Sequence, residues 1–365
     1  MPSLPDVIYL DYHASAPCDP RVVEAIMPFL TSNCANPSNP LHILGRQAAA
    51  AVERARGQVA GLIGAEPEEV VFTSGATESN GLAILGLAQR AERKRNKLVV
   101  SPLEHKSVLE GCKHLSGLGF EVAYLPVDSY GTVDLQAAAE LIDERTLAVF
   151  VQAANNEIGT IQPISAISAI ARAKGAVLHC DAAQAIGKIS FDVRALGADL
   201  ASISAHKLCG PKGIGALYIR GGASTKRLAP ILPGGGQERG LRSGTLNVPG
   251  IVGFGEACVL CAAQRETEAA RVAALRDALE DQLLLSIPSL RQNGNLANRL
   301  PGNSSLTFPG VEADALLLNV PTLALSTGSA CNSGAIEPSH VLQTIGLPRD
   351  LAYSTIRVGL GRFTT

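Results

Sequence analysis

The sequence predicts an α/β protein, with a large doubly wound, mostly parallel sheet and a smaller α+β unit. Three observations carry this. Short β-rich runs alternate with longer stretches of helical periodicity. The β-rich runs are continuously apolar, as parallel strands covered on both faces read. Polar clusters follow those runs, where such sheets bind ligands past the carboxyl ends of their strands: Thr73–Asn80, Glu104–His105, Asn155–Glu157, Asp181–Gln184 and Ser204–Lys207.

In chain order, GRQAAAAVERARGQVAGLIG (45–64) predicts a helix and EVVFTS (69–74) a buried strand. KLVVSP (97–102) predicts the next strand and HKSVLEGCKHL (105–115) the helix after it. DLQAAAELID (134–143) and PISAISAIARAKG (163–175) read as helices on either side of the strand LAVFVQA (147–153). AVLHCD (176–181) and DLASISA (199–205) complete the series of strands. The texture changes near residue 250, where a helical stretch of roughly 250–288 leads into shorter elements. The expected division is a large unit, 16–262, and a small one formed by 1–15 and 263–365.

Hydrophobic residues make up 46% and charged residues 18% of the 365, with a formal net charge of -2, as in an ordinary globular chain. Without a basic excess, neither nucleic acid nor an anionic membrane is an expected partner. No apolar run reaches the ~20 residues of a membrane helix. The N-terminus carries Asp6 and Asp11 and lacks the basic-then-apolar pattern of a signal peptide, so a cytoplasmic location is expected. The eight cysteines then read as reduced thiols, mostly small core residues. Cys258 and Cys261 have a metal-like spacing, but they fall in a helical stretch with no second pair, and no metal is expected.

The chemistry concentrates at strand ends. Lys207, in SAHKLCGPKG, follows a buried strand, where partial desolvation lowers an amine's pKa and frees it to form a Schiff base. Alone, such a lysine is more often a surface residue. Asp181 ends another apolar strand about 25 residues earlier; a carboxylate there can cap the next turn and still pair with the pyridine nitrogen of pyridoxal phosphate. Gln184 is placed to reach that ring's phenolic oxygen. EVVFTSGATESN reads strand, glycine turn, helix; its free amides, with Ser74 and Thr77, suit a phosphate, and Gly75 allows close approach. It has no P-loop lysine, which disfavours nucleoside triphosphates. His105 can stack over a ring or shuttle protons. Of Asn155 and Asn156, one can bond cofactor or substrate and the other is structural.

YLDYHASAP, VFTSGATESN, PLEHKSV, NNEIG, HCDAAQAIGK, SISAHKLCGPKGIGALY, GGGQERGLRSGTLNVP and STGSACNSGAIEPSHVL span nearly the whole chain. In these motifs the chain resembles the cysteine desulfurases of the NifS/IscS-like branch, in the class V aminotransferase group of fold-type I pyridoxal-phosphate enzymes. The resemblance implies Lys207 as the Schiff-base lysine, Asp181 on the pyridine nitrogen, Gln184 on the phenolic oxygen and His105 over the ring. It implies Ala76, Thr77, Ser204 and His206 on the phosphate, and Asn156 near cofactor and substrate. It also implies that Thr245 reaches the phosphate of a partner subunit, so that a homodimer completes the site. Members usually run on past a GRFTT-like end into a helical segment that helps dock a sulfur-acceptor protein.

Cys331 lies in STGSACNSG, a small-residue, glycine-bearing stretch expected to form a flexible loop. A nucleophile there can collect sulfur and carry it outward. Arg357, in STIRVGLGRF, is the expected bidentate clamp on the carboxylate of L-cysteine. EPSHVL suits a helix start with Pro338 in its first turn, and His340 is given no catalytic role. The expected reaction turns L-cysteine into L-alanine and leaves a persulfide on Cys331, with His105 managing protons at the thiol. Iron–sulfur assembly, tRNA thiolation and DNA phosphorothioation all draw on this branch. Another class V enzyme, an aminotransferase or selenocysteine lyase, is the alternative, and it would not need Cys331.

Overall fold

Buried strands form the centre of the molecule, as their unbroken apolar runs require. The computed structural model describes residues 7–92, 94–327 and 337–365. Seven strands make the main sheet, in the spatial order Val70–Thr73, Gly215–Ile219, Leu200–Ser204, Val177–Asp181, Thr146–Phe150, Lys97–Val100, Glu121–Tyr124. Gly215–Ile219 runs antiparallel to both neighbours and every other pairing is parallel. Val99, Val149, Leu178 and Ala201 pack into one core and Leu98, Val100, Ala148 and Leu200 into another, which is why these strands do not alternate.

The five expected strands and the helices between them are present, with ends shifted by a few residues. Two strands of the sheet were not expected. Glu121–Tyr124 is an edge strand with exposed ends and does not read as an apolar run. Gly215–Ile219 returns directly after the turn that follows Lys207, so its apolar residues do not stand apart as a separate strand-helix unit.

A second, antiparallel sheet contains Ser326–Thr327, Thr355–Gly359, Asn303–Thr307 and Arg291–Gln292. Leu306, Ile356, Val358 and Leu360 form its own core with Val272. The N-terminal strand Ile8–Tyr9 pairs in parallel with Leu323–Ala324, and Asp11 bridges to Gly359. Helix Val248–Ser286 joins the two cores. Its first half buries Ile251, Phe254, Cys258 and Cys261 against the large sheet, and Val272 falls in the smaller core. We propose 262/263 as the point where packing passes from one core to the other, within this continuous helix. The start of the short helix His340–Thr344 differs from expectation: Ser339 is its N-cap and Pro338 precedes the cap, because the Ser339 hydroxyl accepts from Val341 N and Leu342 N.

Candidate active site

Neighbouring strand ends bring the expected residues together. Leu200–Ser204 ends in a tight turn, Ala205–Lys207, that turns Lys207 back over the N-terminal segment. Its Nζ donates to the carbonyls of His13 at 2.5 Å and Ala14 at 2.7 Å. In the same turn His206 Nδ1 meets Ser15 Oγ at 3.2 Å, and burial lowers the His206 pKa to about 4, with Lys207 adding to the effect.

Asp181 ends the adjacent strand and is 7% exposed. Its Oδ1 accepts from Ala183 N at 3.0 Å and its Oδ2 from Asn80 Nδ2 at 2.8 Å, so one oxygen caps the turn and the other faces a buried amide. Asn80 Nδ2 also reaches Ser107 Oγ at 2.9 Å, and Ser107 Oγ lies 2.8 Å from His105 Nδ1. His105 caps helix Lys106–Ser116 by accepting from Ser107 N at 3.2 Å. The ring is exposed to the cleft, yet the protein around it desolvates it and lowers its pKa; Asp181 opposes this while Lys207 and Lys106 add to it.

Gln184 is held by groups the sequence did not single out. Its Nε2 donates to His13 O at 2.8 Å, and its Oε1 meets His13 Nδ1 at 3.1 Å and Lys188 Nζ at 2.7 Å. Desolvation, aided by Lys207, lowers the Lys188 pKa to about 7. The amide retains one hydrogen for a further acceptor.

The glycine turn at Ser74–Gly75 forms a cradle. Gly75 has φ 153°, a left-handed value that favours glycine, and helix Ala76–Ala88 starts with no side-chain cap. The N–H groups of Ala76 and Thr77 thus lack intrahelical acceptors. A Cβ on Gly75 would lie 3.8 Å from Ser204 Oγ, so the ends of the two strands that flank Gly215–Ile219 close on one point. Gly215 makes that approach possible: a Cβ there would sit 2.4 Å from Ile203 O and 2.6 Å from Gly75 Cα. Unsatisfied amides beside hydroxyls fit a phosphate, and Lys207 and Asp181 on adjacent strands fit an aldehyde and a pyridine nitrogen. Together they match pyridoxal phosphate.

Asn155 is fully buried and already engaged, its Nδ2 on Leu103 O and its Oδ1 on the amides of Glu157 and Ile158. No described hydrogen bond occupies the side chain of Asn156. Arg357 is 5% exposed on strand Thr355–Gly359; its Nη2 bonds Asp11 Oδ1 at 2.8 Å and its Nε is buried without a partner. Thr245 is exposed in the segment leading into helix Val248–Ser286. In the same region Glu238 and Arg239 adopt left-handed conformations, and Glu238 makes a buried bidentate pair with Arg56 at 2.8 Å. Cys331 lies outside the described residues.

His13, Asp11, Asn80, Ser107 and Lys188 were not anticipated as site residues. The signal for the first two was present in YLDYHASAP, which has no strand periodicity to say where it packs. Asn80 closes the polar cluster Thr73–Asn80 and Ser107 falls within PLEHKSV, but both sit in helix patterns that do not single out either side chain. Among the described residues no helix is long and apolar enough to cross a membrane, and no His, Cys, Asp or Glu group could hold a metal.

Comparison with known proteins agrees with this geometry. The class-V aminotransferase family matches residues 8–365. A cysteine desulfurase IscS of Anaeromyxobacter dehalogenans is 50% identical over 358 residues, 98% of this chain and 88% of that one. A solved NifS-like protein superposes with a TM-score of 0.91 at 39% identity, covering 98% of this chain and 95% of that one. A structure of SspA in complex with cysteine gives 0.86 at 37% identity, covering 98% and 100%. The site and this likeness over nearly the whole length lead to one assignment: the chain belongs to the class-V aminotransferase family and, within it, to the pyridoxal-phosphate-dependent cysteine desulfurases.

Proposed function

We propose that the chain converts L-cysteine to L-alanine and takes the sulfur onto Cys331 as a persulfide. The observation that carries the reading is that Lys207, Asp181 and the Gly75 cradle all follow strands at the same end of the main sheet. Bound pyridoxal phosphate supplies an electron sink for charge developing at the substrate's α-carbon. Lys207 is the amine that moves the α-proton; the carbonyls of His13 and Ala14 orient it. Asp181 holds a proton on the pyridine nitrogen. Gln184, fixed by His13 and Lys188, directs its remaining amide hydrogen to the phenolic oxygen. Ala76, Thr77, Ser204 and His206 hold the phosphate, Arg357 and Asn156 the substrate. His105 serves the substrate thiol. In the transfer the substrate's C–S bond breaks, an S–S bond forms to Cys331, and the carbon that lost sulfur takes up a proton. Atoms and electrons balance with no outside oxidant.

The active species is a homodimer in which Thr245 of each chain serves the other's phosphate, and an active monomer by sedimentation would contradict this. The persulfide passes to a sulfur-acceptor protein, in iron–sulfur assembly, tRNA thiolation or DNA phosphorothioation. The seven described cysteines are all free thiols, which suits a reducing cytoplasm.

Cysteine turnover by Cys331→Ser beside the parent tests the reading. The variant should keep its cofactor and bind cysteine but release no alanine, since a serine oxygen cannot hold a persulfide. The parent, given cysteine without reductant, should carry one extra sulfur on the Cys331 peptide by mass. Full alanine production by the variant would overturn the mechanism in favour of another class V activity.

A further inference from the structure

Asp181 and His105 are joined by a hydrogen-bonded chain whose direction can be worked out from donor and acceptor chemistry. Asn80 is fully buried, with Nδ2 at 2.8 Å from Asp181 Oδ2 and 2.9 Å from Ser107 Oγ; its Oδ1 has no partner. An ionised carboxylate only accepts, so the NH₂ end of Asn80 must face Asp181. The opposite orientation would set a carbonyl oxygen against a carboxylate. The second amide hydrogen then points at Ser107 Oγ. Ser107 Oγ lies 2.8 Å from His105 Nδ1; a hydroxyl has two lone pairs, so its O–H donates here because Nδ1 is already the acceptor of a backbone amide. The Ser107 backbone N–H, which can only donate, reaches the same nitrogen at 3.2 Å. Nδ1 therefore carries a lone pair, and the proton of the neutral ring sits on Nε2.

We propose that Asn80 and Ser107 are positioning residues that transmit the charge of Asp181 to His105 and keep the His105 proton on Nε2. His105 then enters the reaction as a hydrogen donor at Nε2, suited to stabilising a substrate thiolate or protonating a product, and not as a base at that atom. The charged and titratable groups around the ring are Asp181, Lys207, Lys106 and His340. Desolvation and the two lysines favour the neutral ring, in line with the lowered pKa. The inference deepens the proposed function and rests on it for the identity of the thiol, but the tautomer can be read without turnover.

The experiment is a ¹⁵N spectrum of the histidine rings in the holoenzyme, which has seven histidines, with His105→Gln to assign the signal. The expected spectrum at neutral pH shows His105 with a protonated Nε2 and an unprotonated Nδ1. Ser107→Ala removes the O–H donor and keeps the backbone amide. The His105 titration midpoint should rise by roughly half to one pH unit, the size of one neutral hydrogen bond. Ser107→Thr, which keeps the hydroxyl, should restore it. Asn80→Asp should raise the midpoint too, by drawing the Ser107 hydroxyl toward a new carboxylate. A protonated Nδ1 in the parent, or a Ser107→Ala midpoint equal to the parent's, would overturn the proposal. The parent spectrum decides the tautomer whatever the stability of the variants. A parent with this tautomer but no desulfuration would count against the reaction alone.

Discussion

Arg357 Nη2 donates to Asp11 Oδ1 at 2.8 Å across 346 residues of sequence. The pair joins the N-terminal segment to the strand that carries the expected substrate clamp. It gives a buried guanidinium a counter-charge that another carboxylate could replace. Arg357→Ala should weaken cysteine binding by about 2–5 kcal/mol while leaving cofactor colour intact. Asp11→Asn should instead tighten cysteine binding, by about tenfold at most, because the substrate carboxylate no longer competes for the guanidinium. Titrating cysteine into both variants checks this, and unchanged affinity in Arg357→Ala would assign the carboxylate to another residue.

Lys207 is oriented by two backbone carbonyls, so its loss should not disturb the cradle at Gly75. Purified protein should be yellow, and Lys207→Ala should lose the visible band of the lysine-linked cofactor. A parent that stays colourless after reconstitution with pyridoxal phosphate would contradict the cofactor assignment.

Gly215 lies where a Cβ would overlap Ile203 O and Gly75 Cα. Gly215→Ala must push two strand ends apart. Overpacking of this kind costs roughly 1–3 kcal/mol. The variant should melt several degrees lower and retain less cofactor after dialysis. A normal melting point with full cofactor content would show that the cradle does not depend on this close approach.

Glu157 is buried and accepts a hydrogen bond from Ser339 Oγ. Burial raises its pKa from 4.5 to about 7, with Ser339 opposing. Between those values the folded protein holds a proton that the unfolded chain has released. The stability this gives is complete below about pH 4.5 and is lost as pH rises through about 7. The loss is ~3 kcal/mol at most. Between pH 5 and 8 the parent's melting temperature should fall relative to that of Glu157→Gln. Parallel curves would show that the carboxyl ionises as freely folded as unfolded.

The sequence by itself determined the sheet, most of its strands and the strand ends where chemistry gathers. Apolar runs such as LAVFV and the polar clusters after them are local patterns, and burial on both faces of a parallel sheet leaves them little freedom. The motifs also named Lys207, Asp181 and Gln184 and the family. The dipeptide alone does not show which of Asn155 and Asn156 is structural, and only the resemblance points to Asn156 for the site; the structure sets the Asn155 amide on the Leu103 carbonyl. Tertiary structure alone brought Asp11 to Arg357, His13 and Lys188 to Gln184, and Asn80 and Ser107 between Asp181 and His105. Those contacts join segments 27 to 346 residues apart, apart from Lys188 with Gln184 and Ser107 with His105. They depend on how a helix face and an N-terminal strand dock against strand ends, and hydrogen-bond direction exists only once donor and acceptor are placed.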